Sequence, residues 1–213
     1  MSLSSHTSGS SSRWKRRKEA RPEEILDAAL ELFTEKGFSA ARMMDVARKA
    51  GISKGTLYLY FDSKEAIFHA LIQQMILPEL HKVEDRVAHY EGTAENLLRE
   101  LLMTWWDTVI KTRLSAIPKL MISESGNFPE LAEFFTHNVV QRARKLYIKV
   151  FELGVKNGEF KDCDHEIVAR LIIAPLIQAA VWKHSLARFD HDYDMQAYLE
   201  LHIEFIIKGL KGK

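Results

Sequence analysis

Apolar positions recur every three or four residues through most of the chain, and glycine, proline or acidic clusters mark the breaks between runs. In EEILDAALELFTEKG the apolar set is Ile25, Leu26, Ala29, Leu32 and Phe33, one face of a helix. Pro22 suits its first turn and Gly37 its stop. A short second helix is expected over 43–50, ending at Gly51. A third follows from Ser53 to Phe61, and a fourth starts at Ser63, a good N-cap with Glu65 in the first turn. Pro78 marks a kink or break. Longer patterns then cover about 93–111, 129–156, 164–188 and 194–210, with a short piece at 114–124 that Pro118 interrupts. No stretch from residue 22 onward alternates with period two for long enough to be a strand. The pattern predicts an all-α protein in which an N-terminal three-helix helix-turn-helix bundle joins a larger helical bundle. Its expected parts are a disordered, serine-rich and then basic arm over 1–20, the small bundle over 21–75 and the large one over 76–213.

Charge sharpens that division. The net charge is +1, but residues 13–74 carry 12 Lys or Arg against 9 Asp or Glu, while residues 75–213 carry 18 against 20. A basic front end points to a polyanion partner. The single cysteine, Cys163, excludes an internal disulfide and suits a reducing compartment. The longest uncharged apolar run, 171–182, is shorter than the about 20 residues that span a bilayer. The expectation is a cytoplasmic protein without a membrane partner. The histidines in DCDHE and FDHDYD lack the i, i+4 pairing of a strong metal site, so neither a metal nor a cofactor is expected.

The stretch AGISKGTLYLYFDSKEAIF, residues 50–68, carries the densest chemistry. Helix, glycine turn and helix follow at helix-turn-helix spacing, which offers the second helix to the major groove of DNA. Ser53 caps that helix, and Leu57 with Phe61 holds it to a core. Lys54 and Tyr58 share one outward face, Thr56 and Tyr60 another, and Gly55 allows a phosphate close to the backbone. Leu59 lies where base-reading residues would sit and suits a thymine methyl, with packing on the first helix as the alternative. Lys64 is a candidate phosphate ligand. In the arm, Arg16, Arg17 and Lys18 are candidates for minor-groove or phosphate contact.

The run GFSAARMMDVARKAGISKGTLYLYFDSKEAIF, residues 37–68, resembles the DNA-binding motif of TetR-family transcriptional regulators. The segment ISESGNFPELAEFF, residues 122–135, is similar to the C-terminal domains of the AefR and AcrR-like subgroup. One position departs from the pattern: Arg42 stands where the family has a Ser or Thr cap, leaving Asp45 to offset the helix dipole. Arg42 and Met43 join the DNA-facing candidates, Arg42 either on a phosphate or in solvent. The resemblance implies a homodimer that binds a palindromic operator and is released by a small apolar effector, and no enzymatic activity. An all-α enzyme acting on an apolar substrate, or a ligand-independent DNA-binding protein, are the competing readings.

Effector candidates gather around the tryptophan pair of TAENLLRELLMTWWDTVIKT: Leu102, Trp105, Trp106 and Val109, with Met121, Phe134, His137, Asn138, Gln141, Gln178 and Trp182 from neighbouring helices. The alternatives are tryptophans that simply fill the core, and a water-facing helix side for His137, Asn138 and Gln141. Breaks at Pro118 and Pro175 are expected to leave room for a cavity. The last two long patterns carry more apolar surface than one stripe. Ile167, Leu171 and Leu176 of the first, with Leu199, Ile203, Ile206 and Leu210 of the second, are the expected dimer contacts. Tyr198, Leu201 and Phe205 form a second apolar face on the last helix.

Overall fold

The computed structural model describes the backbone of residues 9–190 and 194–211, and side chains from Pro22 onward. Among the described residues there is no strand. The chain forms two compact units, residues 1–70 and 71–213. The boundary thus falls five residues before the expected one, inside a continuous helix.

In the first unit, α1 spans Gly9–Lys36, α2 Met43–Lys49, α3 Lys54–Tyr58 and α4 Lys64–Leu71. The helical backbone from Gly9 replaces the disordered arm expected up to residue 20, and Pro22 lies inside α1 instead of opening it. The apolar stripe of α1 works as its spacing demands: Ile25, Leu26, Ala29 and Phe33 are all buried. Phe33, Phe38 and Phe68 meet edge to face, with ring centroids 4.9 and 6.0 Å apart. Lys49 of α2 reaches Glu31 and Glu35 of α1 at 3.0 and 2.8 Å, which sets the α1–α2 pairing at the rim.

The second unit begins with a π-helical segment, Ile72–Ile76, and continues into α5, Leu77–Ala88. Then come α6 (Ala94–Trp105), α7 (Ala116–Glu124), α8 (Pro129–Phe135), α9 (Gln141–Lys156), α10 (His165–Lys183) and α11 (Met195–Leu210). Two further π-helical segments, Trp106–Ile110 and Thr136–Val140, extend α6 and join α8 to α9. The spans expected at 93–111 and 129–156 are therefore single helical runs, each with one widened turn. Such turns recur at functional sites.

The core of this unit lies between α6, α9, α10 and α11. Leu97, Leu98, Leu101, Leu102, Trp106 and Ile110 line one side of the α6 run and are all buried. Gly154 of α9 is required by packing, because a Cβ there would run into the Phe160 ring. The Glu159 carboxylate accepts from the amides of Ala94 and Glu95, at 3.0 and 3.1 Å, so the turn after α9 helps cap α6. Thr93 completes that cap by accepting from Asn96 N. A bidentate pair between Arg142 and Glu84 joins α9 to α5 and holds the Glu84 carboxyl below its usual range.

Neither expected proline break occurs. Pro118 sits in the first turn of α7, where a missing amide costs little. Pro175 lies within an uninterrupted α10. It removes the amide that would bond the Leu171 carbonyl. Around this point α11 braces α10: Tyr198 Oη donates to Pro175 O at 3.1 Å, and His202 Nε2 donates to Ile172 O at 2.8 Å. A carbonyl only accepts, so His202 carries its proton on Nε2.

By length and composition α10 could cross a membrane, but its Val168, Ala169, Ile172, Leu176, Ala179 and Ala180 are buried in the core of this unit. The dimer expectation needs a correction here. Leu176, Leu199, Ile203 and Leu210 are 0–7% exposed and serve the internal core, while Ile206 is half-buried against it. The apolar side chains left outside are Ile167 and Leu171 on α10 and Leu201 and Phe205 on α11, each at least half exposed. Both faces of α11 are apolar, and helical spacing alone does not say which one turns inward.

Candidate functional site

The helix-turn-helix is built by three local devices. At the end of α2, Gly51 N bonds Arg48 O and Ile52 N bonds Ala47 O, with Gly51 at φ +65°. This is the glycine-terminated C-cap that turns the chain sharply, and a side chain at Gly51 would strain it. Next, Ser53 Oγ accepts from Thr56 N at 3.0 Å and starts α3. Finally, Leu57 is fully buried and pins the short helix, while Phe61 is half-buried one turn further on.

What remains of α3 points outward. Lys54, Gly55, Tyr58 and Leu59 are exposed, and Thr56 and Tyr60 are partly so. Lys54 Nζ lies 5.7 Å from the Tyr58 ring centroid, so cation and phenol share a face, as their i, i+4 spacing requires. The Ser53 and Thr56 hydroxyls bond each other at 2.8 Å. Arg42 caps α2 in extended conformation with no side-chain cap bond, and its side chain is exposed. Asp45, in the first turn, is held by Lys36 and Arg48 at 3.7 and 3.4 Å. Met43 is half-buried; the exposed apolar neighbour is Met44, which sequence spacing did not single out.

Lys64 has a different placement from the one expected. Its ammonium donates to Phe38 O and Ser39 O at 2.8 and 3.1 Å and lies 4.7 Å from the Phe38 ring centroid. It ties α4 to the turn after α1, which accounts for a lysine here without a phosphate. The side chains of Arg16, Arg17 and Lys18 lie outside the described residues.

The effector candidates of the second unit are only partly brought together. Leu102 and Trp106 are buried in its core, with Trp105 half-buried against the same cluster. Val109, Phe134, Asn138, Gln141 and Trp182 are half-buried, and Met121 is buried on α7. His137 and Gln178 are exposed, which for His137 fits a helix side turned to water. Asn138 Nδ2 is turned onto Phe134 O of its own helical run, at 2.8 Å.

A polar cluster with no sequence signal ties these helices instead. Ser115, fully buried, donates to Thr112 O and accepts from His184 Nε2, both at 2.8 Å. Lys119 Nζ donates to His184 O, and Lys183 Nζ to Ile110 O. Burial, then the nearby Lys183 and Lys119 charges, pushes the His184 pKa down, and burial lowers that of Lys183. Both lysines hold carbonyls at helix ends, where cations are favoured.

Comparison with known proteins fits this geometry. Residues 25–71 match the family model of bacterial regulatory proteins of the TetR family, and residues 96–204 match the AefR-like transcriptional repressor C-terminal domain. The HTH-type transcriptional repressor KstR2 of Rhodococcus jostii is 32% identical over 162 residues, covering 73% of this chain and 76% of that protein. The fatty acid metabolism regulator protein of Bacillus subtilis is 24% identical over 198 residues, covering 92% and 100%. In fold, the chain is similar to FadR from Bacillus subtilis in complex with stearoyl-CoA, with TM-score 0.72, 20% identity and coverage of 88% and 98%. It is also similar to the ketosteroid transcriptional regulator KstR2 of Mycobacterium tuberculosis, with TM-score 0.69, 22% identity and coverage of 91% and 96%. The chain belongs to the TetR family of bacterial regulatory proteins, DNA-binding transcriptional regulators.

Proposed function

We propose that this protein is a dimeric repressor in the cytoplasm, bound to a palindromic operator through α3 and released by a small, largely apolar effector held in its second unit. The observation that carries the reading is the division of α3, one buried leucine against an outer surface of Lys54, Gly55, Tyr58 and Leu59. Tyr58 Oη and Lys54 Nζ supply phosphate contacts that fix register, and Arg42 adds a cation beside them. The exposed apolar side chains of α10 and α11, Ile167, Leu171, Leu201 and Phe205, form the dimer contact. Two-fold symmetry then places two recognition helices on half-sites about 34–36 Å apart, or a multiple of that.

Two proteins of similar fold support that effector class, one solved with stearoyl-CoA and one named for ketosteroids. An acyl chain and a steroid skeleton are both largely apolar, which suits a site beside Trp105 and Trp106. The π-helical turns at 106–110 and 136–140 are the segments able to repack around it. The effector acts by favouring a packing of the second unit incompatible with the operator complex.

Selection of binding fragments from genomic DNA supplies the operator, and fluorescence anisotropy then reads affinity. Lys54→Ala together with Tyr58→Ala should nearly abolish binding; unchanged affinity and salt dependence would overturn the assignment of α3. Acyl-CoA and sterol series titrated onto the operator complex should release it in at least one case, with the concentration dependence altered by Trp105→Ala or Trp106→Ala. Release that neither substitution affects places the site elsewhere.

A further inference from the structure

Resting on the DNA-binding reading, we infer that Leu59 is a specificity-determining residue that reads a thymine 5-methyl group in the major groove of each operator half-site. Leu59 is 84% exposed, the most exposed large apolar side chain among the described residues. It ends α3 in helical conformation, φ −72° and ψ −19°, so the helical phase continues through it. At about 100° per residue, Leu59 stands roughly 200° around the helix from the buried Leu57. It therefore crowns the face most remote from the core, and Gly55, one turn earlier, shares that face.

Nothing in the fold asks for either residue. A Cβ on Gly55 would meet only Ser53 Oγ, at 3.8 Å, an ordinary contact, and Gly55 has an unstrained backbone. Alanine is the better helix former at such a position. A bare backbone beside an isolated, fully projecting leucine makes a ridge with no bulk on one half and an apolar tip on the other. Flanking it are Lys54 and Tyr58 on one side and Thr56 and Tyr60 on the other, a polar and basic setting that matches phosphates at the groove edges.

The leucine itself has no donor or acceptor, so it cannot read the hydrogen-bonding edges of guanine, adenine or cytosine. The one apolar feature in the major groove is the thymine C5-methyl. A methyl removed from water against Leu59 is worth roughly four-fold in affinity.

The test starts from an operator that the wild-type protein binds, so failure to find any operator counts against the DNA-binding reading alone. Each thymine of a half-site is replaced in turn by deoxyuridine, which keeps the base pair and removes only the methyl. Wild-type protein should lose roughly four-fold at one thymine per half-site. Leu59→Ala should lose a similar factor on the thymine operator and nothing further at that deoxyuridine. Leu59→Met, which keeps an apolar tip, should restore part of the discrimination, and unchanged circular dichroism and melting show that the fold is intact. If no deoxyuridine weakens wild-type binding, or if Leu59→Ala loses as much as wild type at every position, Leu59 reads no methyl and the inference is overturned.

Discussion

Two helices, α3 and α10, leave apolar side chains in the open, but they do so in opposite ways. On α3 one leucine projects alone among lysine, threonine and tyrosine, backed by one buried anchor. On α10, Ile167 and Leu171 stand one turn apart, and α11, packed beside it, leaves out Leu201 and Phe205 at the same spacing. A single exposed leucine costs little and offers one small apolar contact. Paired apolar residues on two packed helices offer a broader apolar surface, the kind that suits a partner. In the proposed reading, the arrangement of exposed apolar residues, more than their number, separates the surface for DNA from the one that joins copies of the chain.

Four variants break or sharpen that comparison. The largest effect belongs to the inward face of α10: Leu176→Ala, at a fully buried site, should cost about 2–5 kcal/mol in denaturant melts. Its outward face should behave otherwise. Leu171→Glu with Phe205→Glu should leave secondary structure intact, shift sedimentation from dimer to monomer and lower operator affinity roughly 100-fold or more through lost bivalence. A wild-type monomer at micromolar concentration would sink the dimer proposal.

Acid should act between these two faces. His202 and His184 both have pKa values lowered from 6.5, chiefly by burial, so each stays neutral in the fold at pH where the unfolded chain is protonated. Their contribution is present above about 6.5 and is lost as pH falls below it, by up to about 1.4 kcal/mol per pH unit for each group. His202→Gln should flatten that slope in melts taken across the acidic range; an unchanged slope assigns it to other groups. The smallest effect is the most telling for α3. Gly55→Ala should stabilise the protein by about 0.5–1 kcal/mol, yet weaken operator binding. Stronger binding would show that the bare backbone does not face DNA.

Local chemistry was legible in the sequence wherever partners lie within a turn. Ser53 as a cap, Gly51 as a turn, Leu57 as an anchor and Arg42 as a failed cap each depend on neighbours a few residues away, and each is found in place. Long-range choices were not legible. Whether Leu199 and Ile203 or Leu201 and Phe205 of α11 face the core depends on where α10 lies, and no spacing encodes that. Pro175 reads as a breaker because its support comes from Tyr198 and His202, more than 20 residues on. Lys64 reads as a surface cation because the carbonyls it holds, at Phe38 and Ser39, belong to a distant turn. The widened turns at 72–76, 106–110 and 136–140 carry no residue signature at all.

The Glu159 carboxylate on the first amides of α6 also has a consequence in time. The cap joins positions 65 and 64 residues apart, and Lys211 with Glu95 and Lys161 N with Leu210 O bring the end of α11 to the same corner. During synthesis α6 emerges well before Glu159, so until the turn after α9 is made its first turn has only the local Thr93 side-chain cap. In the finished protein the Ala94 and Glu95 amides are shielded from solvent exchange only while that corner is closed. Their deuterium uptake is therefore a clock for the opening of three chain segments at once, and Glu159→Gln, which keeps the shape but removes the charge, should make it run faster.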